Sequence, residues 1–381
     1  MPLFWLVFLP AVAYQSLAIL AALRHLRRRS LERRRSAPDF YPGVSVLKPA
    51  RGLDPNTSEA FISQVEQDYP RFELLFGVHE DDDPAAQEVL RLQREFPDAS
   101  ISLLKGAAPA ANGKVGVLIT LAQHARYPIW VVNDSDIRVT PTYLRDVIAP
   151  LADPRIGIVT CLYRAKAHSS AARWESFGIA TDFMPSAMVA PFVGVREFGL
   201  GATLAFRAAD LESAGGFNAI GDYLADDYQL AKRVTGLGKR ALLSTYTVET
   251  SLGDSTWRGI WHHQVRWART IRVSKGKVYA GLPIAQAGVW IVIAAASGAW
   301  LPAVALYASR IVSAFITAQF VLHDRVAATF SWLAPAWDLY SFAVWATSYA
   351  GGKVRWRDRH LSIDSQGRIQ PIVICDRSLK E

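Results

Sequence analysis

Cysteine is scarce in this chain of 381 residues, which contains only Cys161 and Cys375. The two cysteines are far apart in the sequence, and each lies in an apolar run of the kind that forms a strand. Their number and spacing exclude a disulfide framework and a zinc site built on cysteine. We therefore expect two buried free thiols.

Internal repeats are also absent, and one long segment contains no charge at all. Residues 3–23, LFWLVFLPAVAYQSLAILAAL, carry no charged side chain and are long enough to cross a bilayer core of about 30 Å. The sequence RHLRRRSLERRRS follows directly, and no basic residue precedes the run. Because basic flanks stay in the cytoplasm, we expect an uncleaved anchor at 1–24 with its N-terminus outside, and a basic linker at 25–40.

Basic residues outnumber acidic ones, and the net charge is +8. Such an excess can indicate a nucleic-acid-binding protein, whose binding would be sensitive to salt. Here, however, the basic residues cluster beside apolar segments, at 24–35, 266–277 and 353–359. This placement favours anionic lipid headgroups over a groove that follows a phosphate backbone, so no nucleic-acid partner is expected.

Short apolar runs alternate with helix-like stretches between residues 41 and 252. The amphipathic stretches PAAQEVLRLQREFP and VGVLITLAQHA lie between several of these runs. Such alternation predicts βαβ units and one domain with a mostly parallel sheet. The strand candidates are VSVLKP, FELLFGVHE, ISLLKG, IWVVND, IGIVTCLY, ATLAFR and RALLST.

The composition changes after Leu252. Residues 253–282 combine Trp with Arg, Lys and His at helical spacing, which predicts an amphipathic helix in the membrane interface. A C-terminal membrane region at 283–352 and a tail at 353–381 complete the chain. The membrane region has apolar stretches at about 284–300, 302–322 and 327–350, of which the first two predict a helical hairpin broken near Pro302.

The third apolar stretch complicates the orientation, because it contains Pro335 and Asp338. With the α/β domain in the cytoplasm, three full crossings would put the basic sequence KVRWRDRH outside, against the positive-inside tendency. A re-entrant or interfacial third stretch would restore agreement. Arg310 in the second stretch either faces the bundle interior, with Asp338 as its partner, or reaches to the interface.

Four polar clusters follow predicted strands or open predicted helices. Ligands of open α/β sheets bind beyond the carboxyl ends of the strands, so these side chains are expected to meet at one sheet edge. Each cluster alone is also compatible with a solvated turn or an Asp helix cap, but their order along the chain favours a functional site. The clusters are GVHEDDDPA (Glu80 to Asp83), NGKVG (Lys114), VVNDSDIRV (Asp134, Asp136) and YLADDYQLAKR (Asp226, Asp227).

These residue types suit a nucleotide-sugar substrate. Mg²⁺ and Mn²⁺ take hard oxygen ligands, often one or two carboxylates together with phosphate oxygens. Asp134 and Asp136 could supply such a pair, and the ion would neutralise charge on a departing diphosphate. A hydroxyl that attacks the sugar needs a carboxylate base on the opposite face, which either Asp226 or Asp227 could provide.

In this order the motifs resemble those of the family-2 glycosyltransferases of the GT-A fold. They are most similar to the ceramide glucosyltransferase-like branch, which includes bacterial hopanoid-biosynthesis glycosyltransferases. The resemblance runs from Val44 to Arg272 and is carried by VSVLKP, DDPA, NGKV, VVNDSDIRV, ESAGGF, ADDYQLA and the RW pair. It implies a Rossmann-like GT-A domain of α/β class, with a mostly parallel sheet, between N-terminal and C-terminal transmembrane helices.

The resemblance assigns the acid that contacts the nucleotide base to Glu80, where many members have Asp, with Asp82 as a second candidate. It assigns the metal to Asp134 and Asp136. It also implies that Asp227 is the general base.

Lys114 belongs to the NGKV motif and is expected to contact the donor. The last motif reads HQVRW, so His263 replaces the usual Gln or Arg, while Arg266 and Trp267 match. Arg266 and Trp267 are expected to hold the diphosphate and shape the acceptor site. Without the resemblance, an interfacial aromatic and cationic anchor would be the favoured interpretation of these two residues.

Two further segments depart from the pattern or stay ambiguous. Val117 stands where relatives often have Asn, so the helix after Lys114 is expected to contact substrate differently. Gly199, Gly201 and Arg207 either shape a substrate site or are ordinary turn residues.

The function implied is inverting transfer of a sugar from UDP-N-acetylglucosamine or UDP-glucose to the hydroxyl of a hopanoid or ceramide, with Mg²⁺ or Mn²⁺. The enzyme would work at the cytoplasmic face of a bacterial inner membrane. VVNDSDIRV and VTCLYR favour the hopanoid branch. A processive polysaccharide synthase is disfavoured by the few membrane segments, and a catalytically idle scaffold by the presence of every expected acid and of Arg266.

Overall fold

The structure, a computed structural model, describes residues 3–34, 39–54, 56–253, 255–356 and 359–371. Within these ranges Cys161 is a buried free thiol, as predicted. Cys375 lies outside the described residues.

All seven strands predicted between residues 41 and 252 are present. Each strand contains a short apolar run. In Ile129–Val132 all four residues are buried. Buried runs of this kind are typical of a sheet covered on both faces. The strands are β1 (Val44–Ala50), β2 (Phe72–Val78), β3 (Ile101–Lys105), β4 (Ile129–Val132), β5 (Ile156–Lys166), β6 (Leu204–Arg207) and β7 (Arg240–Ser251).

The strands form one mostly parallel sheet in the order β3-β2-β1-β4-β6-β5-β7, which confirms the predicted fold class. β1 pairs in parallel with both β2 and β4, so the carboxyl ends of these strands lie at the same edge. β6 runs antiparallel between β4 and β5 and enters the sheet at that edge, with Leu204 opposite Val132. The predicted polar turns therefore share one edge of the sheet.

Helices cover both faces of the sheet because alternate strand residues point to opposite sides. Val46 and Val131 belong to one hydrophobic cluster, and their neighbours Leu47 and Val132 belong to the other. The helices up to β7 are α1 (Leu9–Arg34), α2 (Thr57–Val65), α3 (Pro84–Glu95), α4 (Gly113–Ala122), α5 (Tyr143–Ile148), α6 (Ser170–Gly178), α7 (Met184–Val189), α8 (Ala208–Ser213) and α9 (Asp226–Gly236).

The apolar segments at both ends of the chain are helical. Two helices in the described part, Leu6–Arg34 and Trp300–Leu322, are long and apolar enough to cross a membrane. A third span is possible if Trp257–Ile284 and Ala287–Ala296, which bend by 41° at their junction, act together. The remaining helices are α10 (Trp257–Lys275), α11 (Ala287–Ala296), α12 (Trp300–Ile316), α13 (Arg325–Thr329) and α14 (Ala334–Ser348).

The third apolar stretch is broken rather than straight. A short turn at Ser331–Leu333 separates α13 from α14, and Pro335 lies in the first turn of α14. The hairpin between α11 and α12 turns at residues 297–299, just before Pro302.

Arg310 faces the bundle interior and pairs with Asp338, which decides between the two alternatives for its role. The guanidinium donates to both carboxylate oxygens, with Nη2 2.7 Å from Oδ1 and Nε 2.9 Å from Oδ2. Its Nη1 donates to the Thr181 carbonyl at 2.7 Å, and the Gly288 N–H donates to Asp338 at 2.9 Å. Both charged side chains are almost fully buried. This pair joins α12 and α14 to the segment between α6 and α7.

A small C-terminal sheet packs against the loop before α9. Its strands are β8 (Lys353–Trp356), β9 (Arg359–Ile363) and β10 (Ile369–Pro371). The Ile369 N–H donates to the Asp222 carbonyl at 2.7 Å, and the Leu224 N–H donates to the Gly367 carbonyl at 3.3 Å. Leu224, Leu361 and Ile369 form a buried apolar cluster. The tail thereby fixes the chain just before Asp226 and Asp227.

The Arg310–Asp338 pair gives a first prediction. Asp338→Ala leaves a buried guanidinium charge unpaired and should lower the unfolding free energy by about 3–5 kcal/mol. Replacing both residues, with Arg310→Met and Asp338→Leu, should recover most of that loss. Unfolding in detergent, followed by circular dichroism, measures both. Equal losses in the single and double variants would show that the ion pair is not what stabilises the contact.

Candidate active site

The turn after β4 carries the first two acids of the site. The Asp134 side chain is 44% exposed, so it remains open to a ligand, and its Oδ1 lies 2.8 Å from Lys114 Nζ. Asp136 accepts a hydrogen bond from the Thr250 hydroxyl at the end of β7. Burial and the neighbouring Asp134 charge raise the pKa of Asp136 above its usual value. A cation bound beside both carboxylates would favour their charged forms.

Asp227 lies in the first turn of α9 and faces the same space. Its Oδ2 accepts the Gly201 N–H at 3.0 Å, and its Oδ1 accepts the Tyr228 N–H at 2.7 Å. A Cβ atom added at Gly201 would lie 3.3 Å from Asp134 Oδ2 and 3.5 Å from Asp227 Oδ2. The two carboxylates therefore converge on Gly201, and a larger side chain there would enter the space between them.

Lys114 connects the two acidic segments. Its Nζ lies 2.8 Å from Asp134 and 3.1 Å from Asp226 Oδ2. Burial lowers the pKa of Lys114, but the charges of Asp134 and Asp226 outweigh this effect and raise it above its usual value. The lysine is therefore a permanent cation at the sheet edge.

Asn112 places Lys114 by capping α4. Its side-chain oxygen accepts the N–H groups of Lys114 and Val115, at 3.0 and 3.3 Å. Its amide nitrogen donates to the Tyr223 carbonyl at 2.8 Å. Asn112 is fully buried, so one side chain fixes both the start of α4 and the loop that leads into α9.

The HQVRW motif lies on α10 and is held by a buried carboxylate of α6, Glu175. His263 Nδ1 lies 2.5 Å from Glu175 Oε1, and Gln264 Nε2 donates to the same oxygen at 2.8 Å. The negative charge of Glu175 also favours the charged form of Arg266. His263 therefore acts, together with Gln264, as a partner of Glu175.

A row of aromatic rings joins α10 to β5. The ring of Trp267 lies 4.7 Å from that of His263 and 5.5 Å from that of Phe183. Phe183 in turn lies 6.1 Å from Tyr163 on β5. Burial and then the charges of Asp227 and Asp134 raise the pKa of Tyr163 well above its usual value.

The sequence profile described as Glycosyl transferase family 21 matches residues 3–369. The chain belongs to this family.

Curated relatives agree with the family. Ceramide glucosyltransferase 1 of Caenorhabditis elegans is 29% identical over 234 residues, which cover 60% of this chain and 49% of the relative. Ceramide glucosyltransferase 3 of the same organism is 25% identical over 220 residues, covering 54% and 45%. The chain thus matches about half the length of these relatives.

A solved structure supports the GT-A fold. It is a mannosyltransferase from Pyrobaculum calidifontis in complex with GDP-Man and Mn²⁺, with a TM-score of 0.52 and 22% sequence identity. The match covers 90% of this chain and 98% of that chain. The predicted resemblance to ceramide glucosyltransferases of the GT-A fold is confirmed.

Other residues named from the sequence lie in different surroundings. Glu80 and Asp82 are exposed in the turn after β2. Arg207 pairs opposite Ile129, at the other end of β4, and donates to the Ile156 carbonyl at 2.8 Å, so its role is structural. Val117 is buried against Gly77, so it packs the sheet and does not reach a substrate.

Several residues of the site were missed by the sequence analysis. Lys48, whose Nζ donates to the Asp134 carbonyl at 2.8 Å, gave a signal, since it is a charge in the apolar run VSVLKP. Glu175 gave none, since it lies two residues after Arg173 in a mixed segment. Thr250, Gln264 and Tyr163 gave none, because only long-range contacts bring them to the site. The described residues contain no group of three or more His, Cys, Asp or Glu side chains that could hold a metal. An ion at Asp134 and Asp136 would need oxygen ligands from its substrate.

Asn112 gives the second prediction. Asn112→Ala removes the cap of α4 and the bond to the Tyr223 carbonyl, and should lower the unfolding free energy by about 1–2 kcal/mol. Asn218→Ala, at an exposed position, is the matched control and should change little. Thermal unfolding in detergent measures both. Equal melting temperatures for the two variants would contradict the capping role.

Proposed function

We propose that this protein is an inverting glycosyltransferase that moves a sugar from a UDP-sugar to the hydroxyl of a membrane lipid. The observation that carries the proposal is the convergence of Asp134 and Asp227 on Gly201, at the sheet edge next to Asp136. One pair of carboxylates would hold a metal and diphosphate, and a third carboxylate would act as a base.

Asp134 and Asp136 would hold Mg²⁺ or Mn²⁺ together with the donor diphosphate. Their fit rests on the exposed Asp134 carboxylate and on the crowding of the two negative charges. When bound, the ion would supply positive charge to the departing UDP. Lys114 would limit the repulsion between the donor and the acidic segments, since it contacts both Asp134 and Asp226.

Asp227 would be the general base. The hydrogen bonds from Gly201 and Tyr228 to its two oxygens orient the carboxylate. It would take the proton of the lipid hydroxyl as that oxygen attacks the anomeric carbon from the face opposite the UDP. A single displacement of this kind inverts the configuration.

The remaining predicted residues would bind the two substrates. Arg266 would hold the diphosphate, and Trp267 would shape the acceptor site next to the membrane. His263 would act on Arg266 through Glu175. Glu80 or Asp82 would contact the nucleotide base from the turn after β2.

The relatives and the layout of the chain support the proposed substrates. Relatives named ceramide glucosyltransferase favour UDP-glucose and a sphingolipid, whereas the motifs VVNDSDIRV and VTCLYR favour UDP-N-acetylglucosamine and a hopanoid. We place the domain of residues 41–252 in the cytoplasm of a bacterium. The anchor at 1–24, the interfacial helix at 253–282 and the segments at 283–352 would hold it on the inner membrane.

The test is UDP release by the purified full-length protein with Mg²⁺ or Mn²⁺. UDP-glucose and UDP-N-acetylglucosamine are each combined with ceramide, bacteriohopanetetrol or diacylglycerol. We expect release with one lipid, and at least a 100-fold lower rate in Asp227→Ala and Asp136→Ala. Asp98→Ala, at an exposed acid on the far side of β3, is the matched control and should keep the wild-type rate.

Three other results would overturn the proposal. Continuous release with growth of a polymer would identify a processive synthase. No release from folded protein with any pair would favour a scaffold. Undiminished release by Asp136→Ala would remove the metal assignment.

The acid limb of the pH profile gives a further prediction. Burial and then the neighbouring Asp226 charge raise the pKa of Asp227 to about 6 from an ordinary 3.8. Because a base must be ionised, the transfer rate should fall as the pH decreases through about 6. Lys114→Met removes a charge that lowers this pKa and should move the limb to higher pH. A limb near pH 4 in folded wild-type protein would contradict the assignment.

A further inference from the structure

Lys48 is a fully buried lysine in the strand next to the metal-binding turn. It belongs to β1, where its neighbours Leu47 and Ala50 are buried apolar residues, and its own side chain has no exposed surface. Lysine is almost never fully buried unless its charge is paired or hydrogen-bonded. Nothing in the proposed reaction uses this side chain directly, so its position needs a separate explanation.

The ammonium group of Lys48 donates to an amide oxygen and a backbone carbonyl of the turn and not to its carboxylates. Nζ donates to Asn133 Oδ1 at 2.9 Å and to the backbone carbonyl of Asp134 at 2.8 Å. The ring of Phe61 covers Nζ, with its centroid 5.8 Å away. The carboxylate of Asp134 is therefore fixed through its backbone and remains exposed toward a ligand.

The same hydrogen bonds continue to the other half of the site. Asn133 Nδ2 donates to the Tyr143 hydroxyl at 3.4 Å, and that hydroxyl lies 3.1 Å from Thr203 Oγ1. Asn133 and Thr203 are fully buried. The Thr203 N–H donates to the Leu200 carbonyl at 3.0 Å, which closes the turn containing Gly201. One buried network thus links the metal-binding turn to the residue that contacts Asp227.

We propose that Lys48 is a positioning residue, which sets the backbone of residues 133–136 so that Asp134 and Asp136 bind a divalent cation and a diphosphate together. The inference rests on the proposed function for the identity of the ligands. It does not require Lys48 to touch substrate or to exchange a proton. A residue that only stabilises the fold would change the melting temperature without changing the affinity of folded protein for the cation.

The test is Mn²⁺ binding to purified full-length protein in detergent with UDP, measured by the electron paramagnetic resonance signal of free Mn²⁺. Lys48→Met keeps a side chain of similar length and removes the two hydrogen bonds that the ammonium group donates. We expect at least a tenfold weaker Mn²⁺ affinity, corrected for the folded fraction, and partial recovery of UDP release at high Mn²⁺. Lys277→Met, at an exposed lysine in the segment after α10, is the matched control and should bind as wild type does.

Asn133→Ala removes the side-chain acceptor of the same ammonium and tests the inference if Lys48→Met does not fold. It should also weaken Mn²⁺ binding, while Asn218→Ala should not. Wild-type affinity in folded Lys48→Met, or in Asn133→Ala where Lys48→Met does not fold, would overturn the inference. Failure of the wild-type protein itself to bind Mn²⁺ with UDP would instead overturn the proposed function, so the two failures are distinguishable.

Discussion

The contacts of Lys114 with Asp134 and Asp226 are the interaction on which the candidate site depends. They join the turn after β4 to the first turn of α9, two segments that are distant in the sequence. Two like charges 4 Å apart near a protein surface repel by about 4 kcal/mol, so four neighbouring aspartates need a cation among them. Lys114 meets that need through Oδ1 of Asp134, while Oδ2 of the same carboxylate faces Gly201. The acids can therefore be close together and still be open to a ligand.

The C-terminal helices and the C-terminal sheet contact segments that carry the candidate site. Glu175 holds His263 and Gln264, so α6 of the α/β domain fixes α10 beside it. The C-terminal sheet binds the loop at 222–224, which leads into α9. A lipid held by the apolar helices would then lie against Asp227. The loop before that residue is supported by the C-terminal sheet, which follows those helices in the chain. This coupling is consistent with a reaction between a soluble donor and a lipid.

Much of the fold could be predicted from the sequence, since the apolar runs of β1 to β7 are short and bounded by turns. The edge that carries the acids was also predictable, because parallel strands place their carboxyl ends together. Asp134, Asp136 and Asp227 stood directly after strands or at the start of a helix, where pattern alone marks them. Lys48 and Glu175 were not assigned, because their roles arise from contacts with residues far away in the chain. The partner of His263 likewise lies on another helix, and no local pattern encodes it.

The most direct test of the account is an experimental structure of the full-length protein with Mn²⁺ and UDP, with the ion located by its anomalous scattering. We expect one Mn²⁺ coordinated by diphosphate oxygens and by Asp136, or by both Asp134 and Asp136. Asp227 should lie across the site and should not coordinate the ion. Mn²⁺ bound by Asp227, or UDP bound away from the turn after β4, would contradict it.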